Sequence, residues 1–144
     1  MAVEMELARV LMSETQDTHF VELREVDPAD PSAPRAFPIV IGYAEASAVE
    51  RRLLGETPPR PQTHELLADV IETLGHQIDR IVISDLRDHT FYARLCLRSR
   101  SDPAQRTEID SRPSDAIALG AATQVPIFVA ESVVAAACRP AGGA

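Results

Sequence analysis

Side chains that can do chemistry are concentrated between Ile109 and Leu119, where a predicted strand meets a predicted helix. The polar members of this segment are two aspartates, an arginine and a serine: Asp110, Arg112, Ser114 and Asp115. Pro113 suits the first turn of a helix, where its missing N–H costs no hydrogen bond. Helix N-termini carry unpaired N–H groups and the positive end of the helix dipole, so they attract anions. The segment therefore predicts a rigid, polar corner that can hold an anion.

Arg112 has a second interpretation, as the centre of a structural ion-pair network. The nearest carboxylates in the sequence are Asp110 and Asp115, and either one can neutralise the guanidinium without any ligand. Both interpretations stay open at this stage.

Two more polar clusters begin predicted helices. Glu45 falls in a first turn, where a carboxylate complements the helix dipole, and it can also serve as a metal ligand or general base. His64 and Glu65 do not form half of a zinc-protease motif, because Ala68 stands where the second histidine belongs. His64 is either a solvent-facing first-turn residue or a functional base or ligand.

The fourth cluster surrounds a predicted hairpin turn at residues 87–90. Asp88 is explained by the preference of turns for aspartate, whereas Asp85 precedes the turn within the strand. A structural pair between Asp85 and Arg87 is the simplest alternative to a role in binding or catalysis.

Hydrophobic periodicity and turn residues predict the elements that position these clusters. Strands are expected at 3–14, 19–24, 37–41, 78–86, 91–98, 106–110 and 126–130. Helices are expected at 43–54, 63–74, 113–123 and 132–138, with Thr63 as the N-cap of the second. The order lacks a regular βαβ alternation, which favours an α+β domain over residues 1–138 with a mixed, mostly antiparallel sheet and three to four helices. Residues 139–144 are expected to form a flexible tail.

Composition restricts the function. The chain of 144 residues carries a net charge of −8, so a general electrostatic attraction to nucleic acid is not expected. All its basic residues apart from histidine are arginines. A metal ion or a local arginine cluster must offset the repulsion if nucleic acid is a partner. Two distant cysteines, no secretory leader and no bilayer-spanning apolar run predict a cytoplasmic protein without a membrane partner.

Taken in order and spacing, the clusters resemble the bifunctional nuclease domain family of bacteria and plants. The resemblance extends from about Met5 to Ala137 and rests on five segments: 38–46, 60–67, 83–93, 110–119 and 126–131. Two departures are visible. The family often has His-Asp where this chain has His64-Glu65, and Asp-Gly where it has Asp88-His89.

The resemblance implies phosphodiester hydrolysis on DNA or RNA, assisted by Mg²⁺ or Mn²⁺. Its implied metal ligands are Glu45, Asp85, Asp110 and Asp115, and its implied catalytic set is His64, Asp85, Arg87, Arg112 and Asp115. In this scheme His64 transfers protons, and Arg87 or Arg112 stabilises charge on the phosphate.

The alternative is a non-catalytic binding or regulatory module, a homodimer whose charged motifs are structural ion pairs. A homodimer or other homo-oligomer is expected in either case. Convergence of the motif residues on one open cleft favours the enzyme, and their mutual pairing in buried positions favours the module.

Overall fold

The computed structural model describes residues 1–13 and 15–138. Within these residues the chain forms seven strands and four helices, at positions that agree closely with those expected. The elements are β1 (Ala2–Met12), β2 (His19–Glu25), β3 (Ala36–Ile41), α1 (Tyr43–Leu54), α2 (Thr63–Thr73), β4 (His76–Arg87), β5 (Thr90–Ser99), β6 (Arg106–Ser111), α3 (Pro113–Gly120), β7 (Ile127–Ala130) and α4 (Glu131–Ala137). The expected end of the first strand at Glu14 and the expected tail at 139–144 lie outside the described residues.

All seven strands belong to one sheet with the order β3-β2-β1-β7-β4-β5-β6. Every neighbouring pair is antiparallel except β4 and β7, which run parallel. The predicted α+β class with a mixed, mostly antiparallel sheet is confirmed.

Strand alternation gives the sheet one apolar face, which we call the inner face. Its buried side chains include Met5, Val21, Leu23, Ile39, Ile81, Ile83, Leu95, Ile127 and Val129, and they form one core with buried residues of the helices. Phe37 of β3 stacks on Phe91 of β5 with ring centroids 5.7 Å apart, although the two strands are not neighbours. The sheet therefore curls around the core that it shares with the helices.

Arg35 anchors α4 to the edge of the sheet that β3 forms. Its Nε donates to Glu25 at 2.5 Å, and its Nη1 and Nη2 donate to the two carboxylate oxygens of Glu131 at 2.8 and 3.1 Å. Glu131 is the first residue of α4, so this bidentate pair holds the start of that helix beside β3.

Two local predictions need correction. Gln62, not Thr63, is the N-cap of α2, and its backbone N–H donates to Glu65 at 3.1 Å. The α-helix that begins at Pro113 ends at Gly120, and residues 121–123 continue as a 3₁₀ turn. Along the described chain, no helix combines the length and the hydropathy that crossing a membrane requires.

Candidate functional site

The site forms where three helices begin. At their N-terminal ends, Arg112 before α3 contacts Glu45 of α1, and His64 of α2 contacts Asp115 of α3. At the other end, Arg52 of α1 donates to the carbonyl of Leu119 in α3 at 3.0 Å. The helices α1 and α3 therefore run in the same direction, and α2 begins beside the start of α3. We call the place where the three helices begin the N-terminal corner.

Each helix places a carboxylate at its third position in this corner. These residues are Glu45 in α1, Glu65 in α2 and Asp115 in α3. A carboxylate in the first turn complements the helix dipole, which explains why the sequence favours helix initiation at all three places. The negative charge that complements the positive ends of the three dipoles therefore comes from side chains of the protein itself.

Arg112 connects two of the three carboxylates. Its Nη2 donates to Glu45 Oε1 at 2.6 Å, and its Nε donates to Asp115 Oδ2 at 2.9 Å. The Arg112 side chain is still 65% exposed, whereas that of Glu45 is 12% exposed. The guanidinium is thus bound by two carboxylates and still largely exposed to solvent.

His64 is buried beside Asp115. Its Nε2 lies 3.0 Å from Asp115 Oδ1. Arg112 and His64 together outweigh the effect of burial and lower the pKa of Asp115, so Asp115 is an ionised acceptor at neutral pH. Because a carboxylate only accepts hydrogen bonds, Nε2 of His64 donates, which leaves Nδ1 as the proton acceptor of the neutral ring.

Glu65 joins α2 to α1 rather than to the His64 pair. Both of its carboxylate oxygens lie 3.2 Å from Arg51 Nη2. Burial raises the pKa of Glu65, but the bonds from Arg51 and the Gln62 N–H more than compensate, and the net pKa is lowered. The glutamate at this position therefore has a bracing function between two helices of the corner.

Gly42 leaves room for the Glu45 carboxylate. A Cβ atom built on Gly42 would lie 2.4 Å from Glu45 Oε2, a distance that real contacts do not reach. The backbone of Gly42 is extended, with φ −77 and ψ 166, so its conformation does not itself require glycine. The requirement comes from the carboxylate that folds back over it.

Asp85 and Arg87 lie at the same end of the sheet but form a separate pair. Arg87 Nε donates to Asp85 Oδ2 at 2.5 Å, and the N–H of Leu86 donates to Asp85 Oδ1 at 2.8 Å. The hydrogen bond from Arg87 is the main reason that the pKa of Asp85 is lowered. The structural pair considered from the sequence is present.

Asp110 does not contact the other site residues. It lies in β6 opposite Arg94 of β5 and is exposed. Arg112 pairs with Asp115, as one of the two sequence alternatives stated, and its second partner is Glu45 rather than Asp110. Glu45 is 67 positions from Arg112 in the sequence, so sequence proximity did not indicate it as a partner of Arg112.

The implied metal ligands do not meet as a set. Glu45 and Asp115 share the single positive charge of Arg112, Asp85 pairs with Arg87, and Asp110 lies apart. Among the residues that the structure describes, no three His, Cys, Asp or Glu side chains form a group able to hold a metal ion. In this arrangement the four carboxylates do not fit a shared divalent cation.

Part of the corner is accessible to solvent, since the Arg112 side chain is 65% exposed. Two cavities of about 490 and 400 Å³ lie toward the C-terminal ends of the helices, and Leu53, Ile71 and Leu119 are among their lining residues. None of His64, Arg112 and Asp115 lines either cavity.

Sequence reasoning missed two contributors to the corner. Arg51 had no signal that separated it from the adjacent Arg52, although only Arg51 braces Glu65. Gly42 follows the strand expected at 37–41, and its packing against Glu45 depends on a side-chain conformation that spacing does not reveal.

Comparison with known proteins bears on the identity of this corner. A family model described as the bifunctional nuclease domain matches residues 29–141. An uncharacterized protein of Mycobacterium tuberculosis (strain H37Rv) is 35% identical over 134 residues, which is 93% of this chain and 75% of that protein.

Plant relatives are more distant. The rice protein named bifunctional nuclease 1 (Oryza sativa subsp. indica) is 25% identical over 111 residues, 77% of this chain and 32% of its own length. Bifunctional nuclease 2 of Arabidopsis thaliana is 27% identical over 70 residues, 49% of this chain and 21% of its own length. Since the family model covers most of the chain, including every residue of the N-terminal corner, the chain belongs to the bifunctional nuclease domain family.

Proposed function

We propose that this protein is a nuclease that hydrolyses phosphodiester bonds in DNA or RNA at the N-terminal corner. The observation that carries the proposal is the chain of contacts from Glu45 through Arg112 and Asp115 to His64. Within this chain of contacts, one carboxylate, that of Asp115, contacts both an arginine that can bind phosphate and a histidine that can transfer a proton. The family membership and the names of the plant relatives support the same chemistry.

Arg112 is the phosphate ligand in this proposal. Its two carboxylate partners occupy the place of an anion, and its exposed side chain can exchange Glu45 for a phosphate oxygen without unfolding any element. A guanidinium binds phosphate through two parallel hydrogen bonds, which orients the scissile group. The three helix N-termini add to the attraction and offset the net charge of −8 at this one place.

His64 is the proton-transfer group, and Asp115 positions it. With Nε2 donating to Asp115, Nδ1 can accept a proton from an attacking water. Asp115 also holds the ring in this orientation by accepting the hydrogen bond from Nε2. Arg112 then stabilises the charge that develops on the phosphate oxygens.

A nuclease assay on single-stranded DNA and RNA tests the proposal. Wild-type protein is compared with His64→Gln, Arg112→Gln and Asp115→Asn, each of which removes one function of the corner with little change in volume. We expect losses on the order of 10²–10⁴ for His64→Gln, the usual range for a general acid or base. The Arg94→Gln variant is the control, since Arg94 is an exposed residue of β5 whose one salt bridge among the described residues is to Glu108, at 2.9 Å.

The same assay, run with and without Mg²⁺ or Mn²⁺, tests the metal requirement predicted from the sequence, and Asp85→Ala tests the role of Asp85. Cleavage that is equal in wild type and all corner variants would come from a contaminating nuclease and contradict the proposal.

One observation favours the non-catalytic module as a second candidate. Arg112 is already bound by two carboxylates of its own chain, so the corner is complete as a structural ion-pair network. If the corner is only structural, we expect Arg112→Gln to lower the thermal stability, and we expect the same nuclease assay to show no difference between wild type and variant.

We also propose that two copies associate through α2, in the cytoplasm. One side of this helix leaves four apolar residues exposed to solvent: Leu66 (56%), Leu67 (43%), Val70 (42%) and Leu74 (71%). Its acidic residues lie on other sides of the helix, so two copies can pack here without opposing like charges, despite a net charge of −8 each. The free Cys96 and Cys138 agree with a reducing compartment.

A further inference from the structure

The larger of the two cavities, of about 490 Å³, is lined by more positive than negative side chains, and we call it the basic cavity. Histidine aside, its charged lining residues are three arginines and two acids: Arg52, Arg98, Arg100, Glu72 and Asp79. The second cavity, of about 400 Å³, has two glutamates and no arginine among its described lining residues. In a chain with a net charge of −8, the concentration of arginines around one cavity is unexpected.

Two of these arginines, Arg52 and Arg100, have charges that no described carboxylate compensates. Neither forms a salt bridge with any residue that the structure describes, whereas Arg98 pairs with Asp79. Arg52 is also half-buried, and its Nε is buried without a hydrogen-bond partner among the described residues. A half-buried cation without a counter-ion is costly, so an anion bound beside it would be stabilised.

Both arginines also bind the last turn of a helix, which is their simplest structural function. Arg52 Nη2 donates to the carbonyl of Leu119 in α3 at 3.0 Å, and Arg100 Nη2 donates to the carbonyl of Glu72 in α2. These bonds offset the negative ends of the helix dipoles, which would otherwise repel an anion. Because a guanidinium has five N–H donors, binding one carbonyl leaves others for a ligand.

Another part of the cavity wall is apolar and held by the core. Ile71 of α2, Ile78 of β4 and Leu119 of α3 line it, and all three belong to the hydrophobic core or pack against it. Val125 lines it from the segment after α3, where its N–H donates to the carbonyl of Gly120 at 3.3 Å. A cavity of this volume, with apolar walls and a few charged groups, is typical of sites for small organic ligands.

We propose that the basic cavity binds a small organic anion, with a phosphate or carboxylate head group on Arg52 and Arg100 and an apolar body against the core side chains of the wall. An inorganic anion would leave the apolar wall unused, and a neutral apolar molecule would leave both arginines without a counter-ion. The inference goes beyond the nuclease function, because the cavity and the N-terminal corner share no site residue.

Titration of isotope-labelled protein with phenyl phosphate and with benzoate, followed by amide chemical shifts, tests the inference. Benzyl alcohol supplies the apolar body without the charge, and inorganic phosphate supplies the head group alone. We expect at least one of the two organic anions to shift the amides of Ile71, Ile78 and Val125 saturably. That anion should bind about tenfold more tightly than benzyl alcohol or inorganic phosphate, and comparison of the two organic anions identifies the preferred head group.

Variants of the two arginines locate the head group. Arg52→Gln and Arg100→Gln should each weaken binding about tenfold, the usual effect of losing a hydrogen bond to a charged group. Arg80→Gln is the matched control, because Arg80 is an exposed residue of β4 that forms no salt bridge with the described residues and does not line the cavity. Arg112→Gln should keep full affinity at the cavity, which separates this site from phosphate binding at the corner.

Thermal unfolding without ligand identifies a variant that fails to fold. Arg100 is exposed, so Arg100→Gln keeps the test decisive if Arg52→Gln is unfolded. The inference would be overturned by amide shifts confined to the corner, by absence of saturable shifts at millimolar concentrations of both organic anions, or by unchanged affinity in the folded arginine variants. None of these outcomes depends on whether the protein cuts nucleic acid.

Discussion

Asp115 is the residue on which the corner depends, because one carboxylate serves both a histidine and an arginine. Oδ1 is shared with His64 and Oδ2 with Arg112, at 3.0 and 2.9 Å. If the corner acts as proposed, removing the charge of this residue affects proton transfer and phosphate binding together. Such effects are not additive, so variants of His64 and Asp115 should be compared in a double-mutant cycle.

The ionisation of Asp115 predicts a dependence of stability on pH. Its pKa is lower in the folded protein than in the unfolded chain, so the unfolded chain binds more protons as the pH falls below about 4. The stabilisation is complete above that pH and is lost on acidification through the lower, folded pKa. Urea unfolding from pH 7 to pH 2.5 should show wild type losing more stability than Asp115→Asn.

Other carboxylates are common to both proteins and cancel in that comparison. Parallel curves for wild type and Asp115→Asn would show that the pairs with His64 and Arg112 contribute nothing to folding.

Gly42 supports a second prediction at the residue scale. In Gly42→Ala the new methyl group clashes with the Glu45 carboxylate, which must move away from Arg112. We expect destabilisation of about 1–2 kcal/mol, part of it from the poorer N-cap. In a Glu45→Ala background the clash is absent, so Gly42→Ala should cost less there. A coupling below about 0.5 kcal/mol in denaturant unfolding would contradict the packing argument.

At the element scale, the turn between β4 and β5 carries local strain. Asp88 and His89 both have positive φ, 49 and 65, in a two-residue loop closed by the pair of Arg87 and Thr90. Two positive φ values are the mark of a type I′ turn, in which glycine is preferred at the second position. The departure from the family pattern at His89 therefore leaves the turn type unchanged and adds strain.

His89→Gly should stabilise the protein by about 1 kcal/mol, because glycine adopts this conformation without steric cost. The measurement is the free energy of unfolding in urea. His89→Ala keeps the positive φ without the imidazole and is the control, with little or no gain expected. Equal stabilisation by both variants would show that the imidazole, not the backbone, is responsible.

Element positions were predictable from the sequence because local signals agree with one another. Alternation, turn residues and helix caps located seven strands and four helices with small errors at their ends. The helix α2 shows the limit of this approach. Five large apolar residues recur at helical spacing in and just after this helix: Leu66, Leu67, Val70, Ile71 and Leu74. Of these, only Ile71 packs against the core, together with Ala68, and the other four are exposed. Periodicity indicates which residues share a side of a helix but not which side another element covers.

The candidate site was less predictable than the fold for a related reason. The sequence indicated the residue types and the first turns that contain them, and the pairs Asp85–Arg87 and Arg112–Asp115 were among the stated alternatives. Contacts across long separations, such as Glu45 with Arg112, depend on the parallel course of α1 and α3. That course is set by how each helix packs on the sheet, which no local pattern specifies.

At the scale of the whole molecule, the polar contacts cluster at one end of the helical layer, and exposed apolar side chains lie along one side of α2. The N-termini of α1, α2 and α3 meet in the corner, and the exposed leucines of α2 extend away from it. A dimer formed through α2 would leave both corners open, because His64 contacts α3 and the exposed leucines lie on other sides of the helix. Association and substrate binding are therefore compatible.

The dimer gives the last prediction. With two copies packed antiparallel about a twofold axis, Val70 lies at the centre and Leu66 of each copy faces Leu74 of the other, so a charge at position 70 meets its own copy. Val70→Glu should convert a dimer into a monomer in sedimentation velocity. Leu54→Gln changes a residue of α1 that is 64% exposed and should leave the dimer intact. A monomeric wild type at high micromolar concentration would contradict the proposal, and a dimeric Val70→Glu would place the interface elsewhere. Because the corner of each copy is complete within its own chain, the Val70→Glu monomer should retain the proposed nuclease activity at the level of the wild type.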